Sequence, residues 1–295
     1  MEGEEKSRST SGGITLRLFT VFAVAAVSVW ANHEASKGFD IHVSNEIADA
    51  TSARRFHMLF VADDRIDRMV LSSSRAAERL LYGENAQNRK KVVKRVSITV
   101  RLSASDQPGS TAFFAADAGN CAEQCFCYTI YVGSGILREK EDVGKVRRVV
   151  GSAVQKVMAY VWLSDGDGRT PAELLDGIAD YVTLASVGGL KVARVPTGEG
   201  NGRTGETNVS GSRSRECWLA EDPGEVAAFI GYCECMSSGF VARLNEKMAE
   251  GWRPEMVDEA LGTSSMRLCS SFSSALALAS QSTSDACPSW RTWTQ

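Results

Sequence analysis

The chain contains eight cysteines, side chains that can form disulfides or bind metal ions. An even number of cysteines in a secreted chain is typical of disulfides, and spacing alone does not determine their pairing. Cys233 and Cys235 are two residues apart, on different sides of any helix, so we expect them to have different partners. The predicted disulfide residues are Cys121, Cys125, Cys127, Cys217, Cys233, Cys235, Cys269 and Cys287.

Other chemistry is less well supported by residue spacing. The Cys-x3-Cys-x-Cys segment 121–127 lacks the Cys-x2-Cys pairs and the second Cys/His cluster of zinc sites, so disulfides remain the preferred interpretation. The segment 165–168 (DGDG) resembles the start of a calcium loop without its later ligands, which predicts a turn. No G-x-S-x-G motif is present, and the whole chain has three histidines, His33, His42 and His57, from which to build a catalytic triad.

The overall charge excludes one class of partner. The chain has 33 Lys and Arg residues against 36 Asp and Glu residues, a formal net charge of −3, and no long basic run. Binding to the phosphates of a nucleic acid requires a basic surface, which this composition does not supply.

With 295 residues, 43% of them hydrophobic, the chain can form a sizeable core. We therefore predict a globular protein without a nucleic-acid partner.

A segment near the N-terminus is more apolar than the rest of the chain. Residues 18–31 carry no charge, and basic side chains precede them, the last being Arg17. A basic region followed by an apolar stretch of this length is typical of a secretory signal, here with a possible cleavage site after Ala31. The alternative is an uncleaved signal anchor, because 14–31 approaches the roughly 20 apolar residues of a membrane span. Both interpretations stay open.

Either interpretation places the body of the chain in the secretory pathway. The predicted disulfides agree with this placement. Asn208 begins a glycosylation sequon in a stretch rich in Gly, Ser and Thr, which makes it a candidate glycosylation site on a surface loop. We expect an extracellular protein, or a single-pass membrane protein whose domain faces the lumen or the cell exterior.

Hydrophobic periodicity predicts strands mainly before residue 133 and helices mainly after residue 142. Period-two alternation from Val96 to Leu102 is typical of a half-buried strand, and periodicity near 3.6 residues indicates helices. A Thr-Pro-Ala-Glu capping-box pattern at 170–173 predicts the start of one of them. The predicted strands lie within Phe39–Ile47, Val92–Leu102, Thr111–Ala116 and Tyr128–Val132. The predicted helices are Arg65–Tyr82, Val143–Leu163, one starting near residue 171, Glu225–Glu250 with a break near Ser238-Gly239, and Pro254–Leu261.

These elements predict an α+β fold, with a small sheet in the N-terminal half followed by a helical half. We divide the chain into a disordered polar N-terminus at 1–13, a signal peptide or signal anchor at 14–31, one domain at 39–268 and a Ser-rich tail at 269–295.

Three separated segments resemble the plant basic secretory protein family. Leu175–Val182 (LDGIADYV) is similar to the EGIADYVRL element of that family, and Ile130–Val132 resembles its preceding IHVSA strand. Gly239–Met248 resembles the family's GFVAELNKKM, and Tyr232-Cys233 just before it resembles DYC. The resemblance covers 39–268 and implies the gluzincin- or zincin-like single-domain fold of a zinc-peptidase-like protein.

The family carries the sequence HEMTHVWQ, an H-E-x-x-H motif, on the helix before EGIADY. Its two histidines lie one turn apart and hold zinc, and the Glu beside the first activates the bound water. Aligned on the Val-Trp pair, this chain has Lys156 and Tyr160 at the histidine positions and Val157 at the position of the general base. Asp176 stands at the position of the Glu that we infer to be the third ligand.

These four residues predict the loss of the family's zinc chemistry. A lysine ammonium and a neutral tyrosine do not replace imidazole as zinc ligands, and valine cannot accept a proton. Asp176 alone could still act as a ligand. A remodelled site that borrows His42 or His57 is the alternative. We also hypothesise a buried ion pair between Lys156 and Asp176 where the metal would have been.

The predicted function is therefore that of a catalytically inactive homologue of a secreted zinc peptidase, without catalytic residues, a metal or a cofactor. Such a protein would act as a binding or structural module, with an unknown protein or a cell-wall ligand as partner. The resemblance implies a plant protein with a role in defence or in the cell wall. A residual hydrolase with a remodelled site is the alternative, and the membrane is a further partner if the N-terminal segment is not cleaved.

Overall fold

The computed structural model describes residues 11–35, 38–83, 90–103, 113–115, 125–133, 135–137, 141–186 and 217–279. The chain divides into two compact units, Met1–Asp40 and Ile41–Gln295. In the first unit, α1 (Ser11–Ala35) covers the apolar segment of the predicted signal peptide or anchor. Within the described residues, no helix is both long enough and apolar enough to cross a membrane. Residues 1–10 lie outside the described part.

The described residues after α1 form strands and helices close to the predicted ones. The strands are β1 (Asp40–Asn45), β2 (Arg95–Ser103), β3 (Phe113–Ala115) and β4 (Cys125–Gly133). The helices are α2 (Ala50–Phe56), α3 (Arg65–Tyr82), α4 (Val143–Trp162), α5 (Ala172–Ser186), α6 (Pro223–Met236), α7 (Phe240–Met248), α8 (Glu255–Leu261) and α9 (Ser265–Ala279). A π-helical turn (His57–Val61) continues α2, and a short 3-10 helix (Cys217–Leu219) precedes α6.

The strands form one sheet in the order β1-β2-β4-β3. β2 and β4 are parallel, from the pair Arg95↔Cys125 to the pair Ser103↔Gly133, and β3 runs antiparallel to β4. The Ser44 hydroxyl of β1 donates a hydrogen bond to the Thr99 hydroxyl of β2. Just after β1, the Glu46 backbone N–H donates to the carbonyl of residue 100, and the Glu46 carboxylate accepts a hydrogen bond from the side chain of residue 101. Because both strands advance together, β1 and β2 are also parallel.

The predicted α+β class is confirmed, but the predicted order of a sheet followed by helices is only partly right. The predicted helix α3 lies between β1 and β2, and so do α2 and the π-helical turn, which were not predicted, so the sheet-forming half contains more helix than expected. This arrangement follows from the parallel pairing of β1 and β2, because consecutive parallel strands require a long crossover connection. One face of the crossover helix is buried, with Ile66, Val70, Ala77 and Leu81 at 0–2% exposure.

The turn that joins α4 to α5 has three successive residues with positive φ: Gly166 (64°), Asp167 (59°) and Gly168 (70°). It is the predicted turn. α5 begins at Ala172, close to its predicted start. The side-chain hydrogen bond of a capping box is not formed: Thr170 Oγ1 is buried and has no hydrogen-bond partner. α9 includes the first part of the predicted Ser-rich tail, and the rest of the tail, 280–295, lies outside the described residues.

Candidate functional site

α4 carries the three positions that the resemblance aligns with the H-E-x-x-H motif. The helix starts at an N-cap, where the carboxylate of Asp142 accepts a hydrogen bond from the backbone N–H of Lys145 at 2.8 Å. Its valine stripe is buried, and Val150, Val154 and Val157 have no exposed surface. The amphipathic pattern seen in the sequence therefore fixes which face of α4 points into the core.

The C-terminal end of α4 is held by side chains from three other segments. The Tyr82 hydroxyl donates to the Trp162 carbonyl at 2.9 Å, and the Lys91 ammonium donates to the Leu163 carbonyl at 3.2 Å. Asn245 accepts from the Ser164 backbone N–H at 2.8 Å and donates to the Leu81 carbonyl at 3.1 Å. These bonds satisfy groups that a helix end leaves unpaired, and they tie α4 to α3 and α7.

Lys156 forms an ion pair that joins α4 to α5. Its Nζ lies 2.7 Å from Oδ1 of Asp180, and the two side chains are 26% and 28% exposed. The hypothesised partner was Asp176, which lies one helical turn earlier on α5. The hypothesis was therefore right about the occupied position on α4 and wrong about the carboxylate, and the pair is partly exposed rather than buried.

Asp176 is the second carboxylate near Lys156. Burial raises the pKa of the Asp176 carboxyl above its usual range, the positive charge of Lys156 lowers it, and the negative charge of Asp180 raises it further. The net shift of the Asp176 pKa is upward because the effect of burial is larger than the attraction of Lys156. The site thus combines one cation with two carboxylates.

The other two aligned positions offer no strong metal ligand or base. Val157 is completely buried in the core, and its isopropyl group neither binds a metal nor accepts a proton. Tyr160 is half-buried, one turn after Lys156. Within the described residues, no three His, Cys, Asp or Glu side chains come together in a group that could hold a metal ion.

The histidines lie on elements other than α4 and α5. His42 is exposed on β1, and His57 is exposed at the first position of the π-helical turn. His33 lies in α1, where its side chain is outside the described part. The described histidines are therefore surface residues.

The cysteines only partly follow the disulfide prediction. Cys217 is bonded to Cys269, and Cys127 and Cys235 are also in disulfides. Cys125 and Cys233 differ from the prediction, because their thiols are free. Cys233 lies in α6 and has no exposed surface. Burial raises the pKa of its thiol to about 12, and the nearby negative charge of Glu234 contributes a smaller part of the increase. Cys121, Cys287 and Asn208 lie outside the described residues.

Sequence reasoning missed Asp180, the residue that pairs with Lys156. Its position was detectable, because residues four apart on a helix share one face, so a side chain that reaches Asp176 from α4 can also reach Asp180. Lys91 and Asn245 were also missed. Each lies far from α4 in the sequence, and no local pattern marks either residue as an anchor for that helix.

The two carboxylates are expected to affect stability in opposite directions. Because the folded-state pKa of Asp176 is raised, its charge destabilises the fold above that pKa. We expect Asp176→Asn to raise the thermal unfolding midpoint at about pH 7, with the gain disappearing as the pH falls to about 3, where the carboxyl is protonated in both states. Asp180→Asn, the matched control, should lower the midpoint at about pH 7 by breaking the ion pair. Thermal unfolding of both variants measures this, and a lower midpoint for Asp176→Asn at neutral pH would contradict it.

Comparison with known proteins identifies the family of this domain. The family model described as BSP, peptidase of plants and bacteria, matches residues 36–272. No curated protein and no solved structure matches the chain. The matched residues include every strand of the sheet and α2 to α8, and they exceed half of the chain. The chain therefore belongs to the BSP family, the peptidases of plants and bacteria.

Proposed function

We propose that this protein keeps the fold of its family as a secreted or membrane-anchored binding or structural module, without zinc-dependent peptidase activity. The observation that supports this proposal best is the Lys156–Asp180 ion pair, at 2.7 Å. It joins α4 to α5 at the position that the resemblance assigns to the first zinc ligand. A cation fixed there repels a second cation, so the site favours its present occupant over a metal ion.

The residues present do not fit the zinc that the resemblance implies for the family. An ammonium has no lone pair to donate, and a neutral phenol is a poor zinc ligand. The completely buried Val157 stands at the position of the general base and cannot activate water. Asp176 is the one aligned residue able to bind a metal, and a single carboxylate is fewer than the three protein ligands of a catalytic zinc site. No catalytic step through zinc can therefore be assigned to this chain.

The resemblance to the family suggests only the general class of ligand. Under this proposal the zincin-like single domain faces the lumen or the cell exterior, where a protein or a cell-wall component would be its ligand. A role in defence or in the plant cell wall is part of the same proposal. A residual hydrolase with a remodelled site is the second candidate, which the description of the family as peptidases favours.

The test is casein cleavage by the full chain, purified from a secretory host, with and without a zinc chelator. We expect no chelator-sensitive cleavage, because the ligands and the base are absent. The matched variant restores all four aligned positions: Lys156→His, Val157→Glu, Tyr160→His and Asp176→Glu. Cleavage by this variant alone would support the proposal, and chelator-sensitive cleavage by the natural chain would overturn it. Chelator-resistant cleavage by the natural chain would favour the hydrolase with a remodelled site.

A further inference from the structure

The sequence of α9 makes it a helix of low intrinsic stability. Five of its first ten residues are serines. Four of these donate their hydroxyls to the backbone carbonyl four residues earlier: Ser270, Ser271, Ser273 and Ser274. Serine is a weak helix former because its hydroxyl competes for backbone hydrogen bonds, and an isolated helix of 15 residues is marginal in water. The order of α9 therefore depends on its contacts with the rest of the domain.

Two side chains attach α9 to neighbouring elements after its first turn. Cys269 is bonded to Cys217 of the short 3-10 helix before α6. Three residues later, the centre of the Phe272 ring lies 5.5 Å from the ring centres of Phe229 and Tyr232 on α6. Residues three apart on a helix share a face, so the disulfide and the aromatic contact hold the same side of α9.

The disulfide joins a firmly held segment to this weakly held helix. Trp218, next to Cys217, is 2% exposed and packs edge-on against Trp252. In α9, the serines after Cys269 are exposed, and within 266–274 only Phe272 is buried. Breaking the bond therefore leaves the 3-10 helix in place, whereas α9 loses one of its two attachments.

We propose that the Cys217–Cys269 bond is a redox-sensitive latch that holds α9 on α6 and is opened by a dithiol reductant. Both cysteines are partly exposed, so a thiolate in solution can reach the bond. One thiolate of the reductant attacks one sulfur, and the other cysteine leaves as a thiolate and takes up a proton. The second thiol of the reductant then attacks the mixed disulfide and releases the first cysteine. The protein gains two thiols, and the reductant is oxidised to its disulfide.

Opening the latch changes which surface of α6 faces solvent. Without the bond, burial of one aromatic ring has to offset the conformational freedom that a serine-rich helix loses when it is ordered. The first turn of α9 keeps its attachment to α8, because the Ser265 backbone N–H donates to the Asp258 carboxylate at 2.7 Å. The rest of the helix detaches, and the side of α6 that carries Phe229 and Tyr232 is uncovered.

Hydrogen exchange in matched variants tests the latch. Cys217→Ser with Cys269→Ser removes the bond, and Phe272→Ala, the control, removes the ring and keeps the bond. The full chain is purified from an oxidising secretory host, and amide exchange is measured by mass spectrometry. In the double variant we expect the amides of 270–274 to exchange about 10-fold faster, or more, than in the control, while α7 stays protected. Equal protection of 270–274 in both proteins, or α7 amides that exchange as fast as those of α9, would overturn the proposal.

The natural chain tests the redox step and does not depend on a variant that folds. It is incubated with increasing concentrations of dithiothreitol, alkylated with a maleimide and mapped by peptide mass spectrometry. We expect label on Cys217 and Cys269 in chains whose α7 amides remain protected, with fast exchange at 270–274 in the same chains. Labelled chains with a protected α9, or a pair that is never labelled before α7 loses its protection, would show that the bond is not a latch.

Discussion

Gly177→Ala is expected to destabilise the protein by about 2 kcal/mol, although alanine is normally the better helix former. Gly177 lies in α5, at its contact with α6. A Cβ placed there would overlap Val226, lying only 2.5 Å from the Val226 Cβ and closer still to Cγ1. A branched side chain on a packed helix cannot move aside, so α5 and α6 would have to separate. α5 carries both Asp176 and Asp180, so the same separation would disturb the candidate site.

The matched control is Gly151→Ala in α4. The neighbour of a Cβ at that position is the terminal methyl of Met69, at 3.1 Å, which is the flexible end of an unbranched side chain. We expect a change within about 1 kcal/mol, in either direction. Thermal and urea unfolding of both variants measures the difference, and about 2 kcal/mol corresponds to roughly 4–8 °C for a domain of this size. Equal midpoints for the two variants would show that α5 and α6 are not tightly packed at Gly177.

Removal of the Cys217–Cys269 disulfide is expected to destabilise the protein by about 4 kcal/mol. The bond joins cysteines 52 residues apart, and a loop of that size loses considerable freedom in the unfolded chain when it is closed. In the fold, the bond attaches the short 3-10 helix before α6 to α9. On either side of it, Trp218 packs edge-on against Trp252, and Phe272 packs against Phe229.

The double variant Cys217→Ser with Cys269→Ser isolates this bond, and urea unfolding under oxidising conditions measures the loss. Cys125→Ser is the control, because it removes a thiol that is not in a disulfide. We expect the control to unfold at the midpoint of the natural chain and the double variant at a clearly lower urea concentration. Equal midpoints for all three proteins would mean that the bond adds no stability to the folded state.

The helices were predictable because their signals are local. The α3 boundaries coincide with the predicted ones, since an amphipathic stripe runs between a turn and a glycine. α4 ends within one residue of its prediction, and the break between α6 and α7 lies at the predicted Ser238-Gly239. In each case, the residues that begin or end the helix are adjacent to it in the sequence.

Features that depend on distant residues were not predictable. α2 and the π-helical turn were missed because their short apolar pattern is completed only by burial of Phe56 and Phe60 in the core. The choice of Asp180 over Asp176 depends on how α4 and α5 pack, which neither helix encodes alone. The free thiols of Cys125 and Cys233 likewise reflect which cysteines the fold brings together, whereas the sequence supplies only an even count.

The central claim is that an ion pair on Lys156 occupies the position at which the family resemblance places a zinc ligand. Zinc content, measured by elemental analysis after loading and dialysis, tests it most directly. The natural chain is compared with a variant that restores only the ligands: Lys156→His, Tyr160→His and Asp176→Glu. We predict far less than one zinc per natural chain and about one per chain of the variant. Near-stoichiometric zinc in the natural chain, removable by a chelator, would contradict the claim.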